Sequence, residues 1–169
     1  MAWTDSRVFT QAVFNPLTAA ISTSVEPTTY GASGLSADTV KAALFNTSTT
    51  PDRDAVVGST GFNTGTWTTG AAGNEVTDPV NWTTGGRQLL SVTYFAGTSV
   101  VSFDAADTAG AGNVTISAAF GTLVFDNSIT AGTVAKQGMC FNYFGGTQSV
   151  TGGTFTIIWD ATGIFKFTT

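Results

Sequence analysis

Between residues 154 and 159 apolar and polar side chains alternate, so that Phe155, Ile157 and Trp159 share one face. A repeat of two belongs to an extended strand; a helix brings a face round only every three to four residues. The alternation returns in residues 164–167, where Phe165 and Phe167 fall together after the turn residues Asp160-Ala161-Thr162-Gly163. Both arms and the turn between them read as a β-hairpin. Residues 88–95 and 98–103 read as another, bent at Ala96-Gly97. Residues 113–120 place Val114, Ile116, Ala118 and Phe120 on one face, and residues 122–125 follow as a buried run. Further upstream, Val40, Ala42 and Leu44 share a face just before the turn-forming cluster 46–54, which contains Pro51. Short strands with frequent turn signals predict an all-β, antiparallel β-sandwich, jelly-roll or immunoglobulin-like, or else a small barrel.

Residues 1–38 have a different texture. Val8, Phe9, Ala12, Val13 and Leu17 follow a weak helical spacing, Pro16 limits it, and the rest is rich in Ser, Thr and Gly. The expectation is an N-terminal arm, either a short helix or an extended segment, ahead of a single β-sandwich domain over residues 39–169. Residues 58–86 are dominated by Gly, Thr and Asn and carry no regular period, although Phe62, Trp67, Val76, Val80 and Trp82 are spaced among them.

Charge is scarce. Only 10% of the residues are Asp, Glu, Lys or Arg, against about 25% in an average soluble domain. Thirteen Phe and four Trp rule out a disordered chain, so the polar surface must be made largely of neutral residues, which suits packing against other protein subunits. The net charge is −5, and the six cations are scattered. Nucleic-acid binding and attraction to anionic lipid both need clustered Lys and Arg, so neither is expected. No stretch is apolar enough for a membrane span, and the first residues lack the pattern of a signal peptide.

Reactive chemistry finds little material. The chain has no histidine, which removes the commonest general base and metal ligand. The single cysteine, Cys140, sits in the apolar run Met139-Cys140-Phe141 and reads as a small buried hydrophobe. Asp52 with Asp54, and Asp104 with Asp107, are acid pairs near strand ends; calcium binding and turn formation account for them equally well. No enzyme, cofactor or metal is expected. Trp67 and Trp82 lie in the loop-rich middle, where a ring either stacks on a sugar or pins its loop to the core. With Trp3, Val8, Phe9 and Val13 of the N-terminal segment they form the set of candidate interface residues.

The order of segments resembles a family of tailed-bacteriophage virion proteins. The resemblance runs through Asp38-Thr39-Val40-Lys41-Ala42-Ala43-Leu44-Phe45, Pro51-Asp52, and Asn74-Glu75-Val76 before Gly85-Gly86. It continues in Phe103-Asp104-Ala105-Ala106-Asp107 and in Val114-Thr115-Ile116-Ser117-Ala118 leading to Leu123-Val124-Phe125-Asp126. Phe144-Gly145-Gly146 and Gly153-Thr154-Phe155-Thr156-Ile157-Ile158-Trp159-Asp160, closing at Gly163-Ile164-Phe165, complete it. The N-terminal segment lies outside it, and the Trp that such proteins often carry near residues 108–112 is missing. The resemblance implies a capsid decoration or minor capsid protein, whose expected partner is the major capsid protein; the acidic balance suits the exterior of the virion, and the lack of a signal-peptide pattern leads to the expectation of synthesis in the host cytoplasm. The resemblance also implies self-association, by analogy as a trimer, and no catalytic residues. A tail component (tube, fibre or host-binding domain) is the alternative, and a carbohydrate-binding module a further one.

Overall fold

Val40–Phe45, the strand β2, has apolar residues on both faces: Val40, Ala42 and Leu44 point to one core, Ala43 and Phe45 to another. A strand of that composition belongs in the middle of a sheet covered on both sides. The computed structural model describes residues 3–13, 38–70, 73–110, 112–130 and 135–168, and in it β2 occupies that central place.

The described strands are β1 (Arg7–Val8), β2, β3 (Glu75–Val76), β4 (Arg87–Gln88), β5 (Thr93–Gly97), β6 (Val100–Asp104), β7 (Thr108–Ala109), β8 (Val114–Asp126), β9 (Gly138–Gly153), β10 (Thr156–Ile157) and β11 (Phe165–Thr168). The main sheet runs β1-β9-β8-β2-β3, with β4 also paired to β2. A three-stranded sheet runs β11-β6-β5, and β10 pairs with β7. Every pairing is antiparallel. The fold is all-β and sandwich-like; the main sheet is open, so the barrel alternative falls.

The two faces of the main sheet are covered by different material. On one, Phe103 of β6, Ile157 of β10, and Trp82, Leu89, Phe155, Trp159 and Ile164 pack against Val40, Leu44, Val124 and Ile116. On the other, no strand lies over the sheet among the described residues. Trp3, Phe9, Phe62 and Trp67 supply the cover from irregular segments, meeting Phe45, Leu123, Phe125 and Phe141. Trp3 lies directly over Gly121, where a Cβ would collide with the indole. Its Nε1–H donates to the Asn46 carbonyl at 3.1 Å. Trp3 and Phe9 are therefore core side chains, and with Arg7–Val8 paired to β9 the stretch between them is held on the sheet and is not a free arm. The expectation of an arm over residues 1–38 otherwise lies outside the described residues from 14 to 37.

Three strand expectations need correcting. The hairpin over residues 154–167 does not form, although its turn does: the Gly163 N–H donates to the Asp160 carbonyl at 2.8 Å. The turn sends the chain from one small sheet to another, since Thr156 and Ile157 pair with β7 while Phe165–Thr168 pairs with β6. In the second hairpin, β5 and β6 do pair, but the bend falls at Thr98-Ser99, two residues later than the sequence suggested. Along β8 the alternation slips. A register shift between Ile116 and Ala119, with Ala118 at φ 60°, turns Ala119 and not Ala118 into the core. Such a bulge adds a residue to one strand and exchanges its faces.

Candidate interaction surfaces

The acid pairs are occupied with local structure. The Asp52 Oδ1 accepts the Asp54 N–H at 2.9 Å, and Asp54 accepts the Thr10 hydroxyl at 2.6 Å and pairs with the exposed Arg53. The Thr10 hydrogen bond, then Arg53, holds the Asp54 carboxyl below its ordinary value. Asp104 accepts the Ala105 N–H at 2.8 Å, and Asp107 accepts the Trp159 N–H at 3.0 Å, tying the segment after β10 to the β6–β7 connection. Among the described residues, no three His, Cys, Asp or Glu side chains gather as metal ligands would. Cys140 is buried, and burial pushes its thiol well up, away from the thiolate that nucleophilic chemistry needs.

The six candidate interface residues divide sharply. Trp3, Phe9, Trp67 and Trp82 are 4%, 0%, 1% and 0% exposed, so each is consumed by the chain's own cores. The rings of Trp67 and Trp82 have no free face for a sugar. They pin their loops, because irregular segments that must cover a sheet need large apolar side chains to do it. Val8 is half-buried against the first core, and Val13 is partly exposed.

Two surfaces that the sequence did not single out take their place. The first is the far end of the β11-β6-β5 sheet. The rung Tyr94, Phe103 and Phe165 is anchored on the core through buried Phe103, whose ring lies 5.3 Å from Phe165 and 5.3 Å from Tyr94. One rung further out, Ala96, Val101 and Phe167 lie side by side, with Val101 54% and Phe167 40% exposed. Phe95, on the opposite face, is 60% exposed. Its ring closes over Gly97, where a Cβ would meet it at 2.7 Å. Adjacent aromatics on a strand cannot both face inward, which was the one available signal in Tyr94-Phe95.

The second is a groove of about 520 Å³ between β9 and the segment that carries β10. Asn142, Phe144 and Gln148 line one wall, and Phe155, Trp159 and Asp160 the other. β9 widens here: Tyr143 and Gln148 pair with Gly121 and Ala119, so five steps along β9 match two along β8. Gly145 and Gly146, both at positive φ, carry the excess. The Trp159 indole is fixed by its Nε1–H donating to the Thr108 hydroxyl at 3.1 Å. The polar groups are engaged within the chain, the Gln148 amide nitrogen donating to the Gly146 carbonyl at 3.4 Å. The Asn142 amide accepts from the Cys140 thiol at 3.4 Å and donates to the Ile164 carbonyl at a longer 3.5 Å. In Asp160, Oδ1 accepts from the Thr162 N–H and hydroxyl, which together hold its carboxyl below the ordinary range and occupy that oxygen alone.

Compared with known proteins, the chain matches no family, no curated sequence and no solved structure.

Proposed function

We propose that this protein is a structural component of a bacteriophage particle, a capsid decoration or minor capsid protein that binds the outer face of the head and stabilises it. The observation that carries the proposal is the apolar end of the β11-β6-β5 sheet, exposed on a chain with so few charges. Adjoining exposed apolar side chains of this kind mark protein contacts, and a neutral surround costs little to desolvate when it is covered. The net charge of −5 suits the exterior of a shell, because packaged nucleic acid would repel an acidic protein inside. Binding across neighbouring subunits of the major capsid protein stabilises the assembled state by mass action. The order of motifs along residues 38–169 supports the same reading, and self-association accompanies it.

Electron microscopy of particles with and without the protein tests this. The expected result is extra density on the outer shell and lower resistance of heads to heating when the protein is absent. Val101→Lys, which puts a charge into the exposed rung without touching the core, should weaken head binding by about tenfold or more. Heads of unchanged appearance and stability, or labelled protein found on tails, would overturn the proposal.

A further inference from the structure

Two carboxyls meet where β2 begins and β8 ends, although they lie far apart in the sequence. Asp126 is 0% exposed, and Asp38 is half-buried. Neither is free to swing away. Asp126 sits opposite Val40 in the ladder, and its carboxyl accepts the N–H groups of Ser128, at 2.8 Å on Oδ1, and of Ile129. The backbone beside Asp38 is tied to the same turn. The Thr39 N–H donates to the Ser128 hydroxyl at 2.7 Å, and the Asn127 N–H donates to the Thr39 carbonyl at 2.9 Å. The fold thereby holds the Asp38 carboxyl within hydrogen-bonding reach of Asp126.

The oxygens left over have nothing to bind. Oδ2 of Asp126 and Oδ2 of Asp38 are both closed off from solvent, and among the described residues no hydrogen-bond donor reaches either. A buried acceptor without a donor is costly, and two carboxylates set against each other compound the cost. Counter-charge is missing as well: among the described residues, no Lys or Arg forms an ion pair with either acid. Glu75, another buried acid with an unpartnered oxygen, differs because Lys136 and Lys41 offset its charge.

A single shared proton would leave a net negative charge on the pair inside the protein, whereas a divalent cation cancels both charges. The side-chain donors are all oxygen, which selects a hard cation. Calcium accepts an irregular shell completed by backbone carbonyls. Magnesium keeps most of its water, and the sealed oxygens leave little room for it.

We propose that Asp38 and Asp126 together hold a calcium ion, which clamps the start of β2 to the end of β8. The acid pairs that stand out in the sequence, Asp52 with Asp54 and Asp104 with Asp107, are committed to local structure instead. With two carboxylates in the shell, the affinity falls in the weak class, at roughly 0.1–1 mM. The clamp stands whether or not the protein decorates a capsid.

Thermal melting of the full chain at about pH 7.5, in EDTA and then in ~5 mM calcium chloride, tests the proposal. Calcium should raise the melting temperature by about 3–6 °C. In NMR spectra it should shift amide signals centred on residues 38–40 and 126–129. Asp38→Asn keeps the shape of the side chain and removes one charge. That variant should melt at or above the wild type in EDTA and lose the calcium response, whereas Asp52→Asn should retain it. No response to calcium, an undiminished response in Asp38→Asn, amide shifts centred elsewhere, or a larger rise with magnesium would each overturn the proposal.

Discussion

Trp67 shows how much one residue carries in a face without a covering strand. Its indole is 1% exposed and meets Trp3, Phe9 and Phe45 edge-on at centroid distances of 5.6, 5.9 and 5.0 Å. Trp67→Ala should cost about 3–5 kcal/mol in urea unfolding, since the loop around it has no second anchor of that size. Two carboxyls at this scale give stability an unusual dependence on pH. Burial raises Glu75 from an ordinary 4.5 to about 7, partly offset by the Gly85 N–H on its Oε1 and by Lys136 and Lys41. Burial also raises Asp126 from 3.8 to about 6, opposed by the Ser128 N–H and reinforced by the neighbouring Asp38. A carboxyl whose folded pKa exceeds its unfolded one binds its proton more tightly when folded. Its stabilisation is therefore complete below the unfolded value and lost as pH rises through 6 to 7. The melting temperature should climb by a few degrees from pH 8 to pH 5. Asp54, Asp78 and Asp160, all lowered by hydrogen bonds, lose their contribution only as pH falls below the ordinary 3.8. Glu75→Gln should exceed the wild type in stability at pH 8 and converge on it at pH 5; a constant difference across that window would contradict the assignment.

At the scale of elements, β8 joins two behaviours in one strand. Its first half has one side toward the core, whereas residues 121–126 are buried throughout because both cores press on them. The bulge between the halves places Ala118 at φ 60°, where a Cβ costs about 1–2 kcal/mol and glycine costs nothing sterically. Ala118→Gly should accordingly stabilise the protein by about 0.5–1 kcal/mol after the added entropy of the unfolded chain, measurable in the same urea assay. A loss of stability would mean that the bulge is not held in that conformation. The loop 78–82 is organised the same way, from a single side chain. The Asp78 carboxylate accepts the N–H groups of Val80, Asn81 and, across to β8, Thr115, at 3.0, 2.7 and 3.0 Å. Those bonds hold its carboxyl below the ordinary range, the Asn81 N–H foremost, and close the loop that carries Trp82 into the core.

For the molecule as a whole, ion pairs matter little. Among the described residues, the pairs within 4.0 Å are Arg7 with Asp5 and Arg53 with Asp54, and all four side chains are substantially exposed. Surface pairs of this kind contribute about 0–1 kcal/mol each and are screened by salt. The melting temperature should therefore move by no more than about 2 °C between low salt and ~0.5 M NaCl. A larger fall would point to charge networks on the surface.

The local rules of the chain are legible in its sequence alone. Period-two alternation placed strands at 164–167 and 39–45 and, within 154–159, at Thr156–Ile157 alone, turn residues marked Asp160–Gly163, and the scarcity of charge described the surface, because each is decided by neighbours a few residues apart. What depends on distant partners was not open to reading. Alternation says that Ile157 and Phe165 lie on strands, but not that one joins Thr108 and the other Phe103. An indole in a Gly-rich loop looks the same whether it awaits a ligand or fills the uncovered face of a sheet. Tertiary packing decided that Trp3, Phe9, Trp67 and Trp82 go inside and that Phe95, Val101 and Phe167 stay out. The cost of burying a side chain is set by what happens to lie above it, and that is settled only when the sheets and loops have closed on one another.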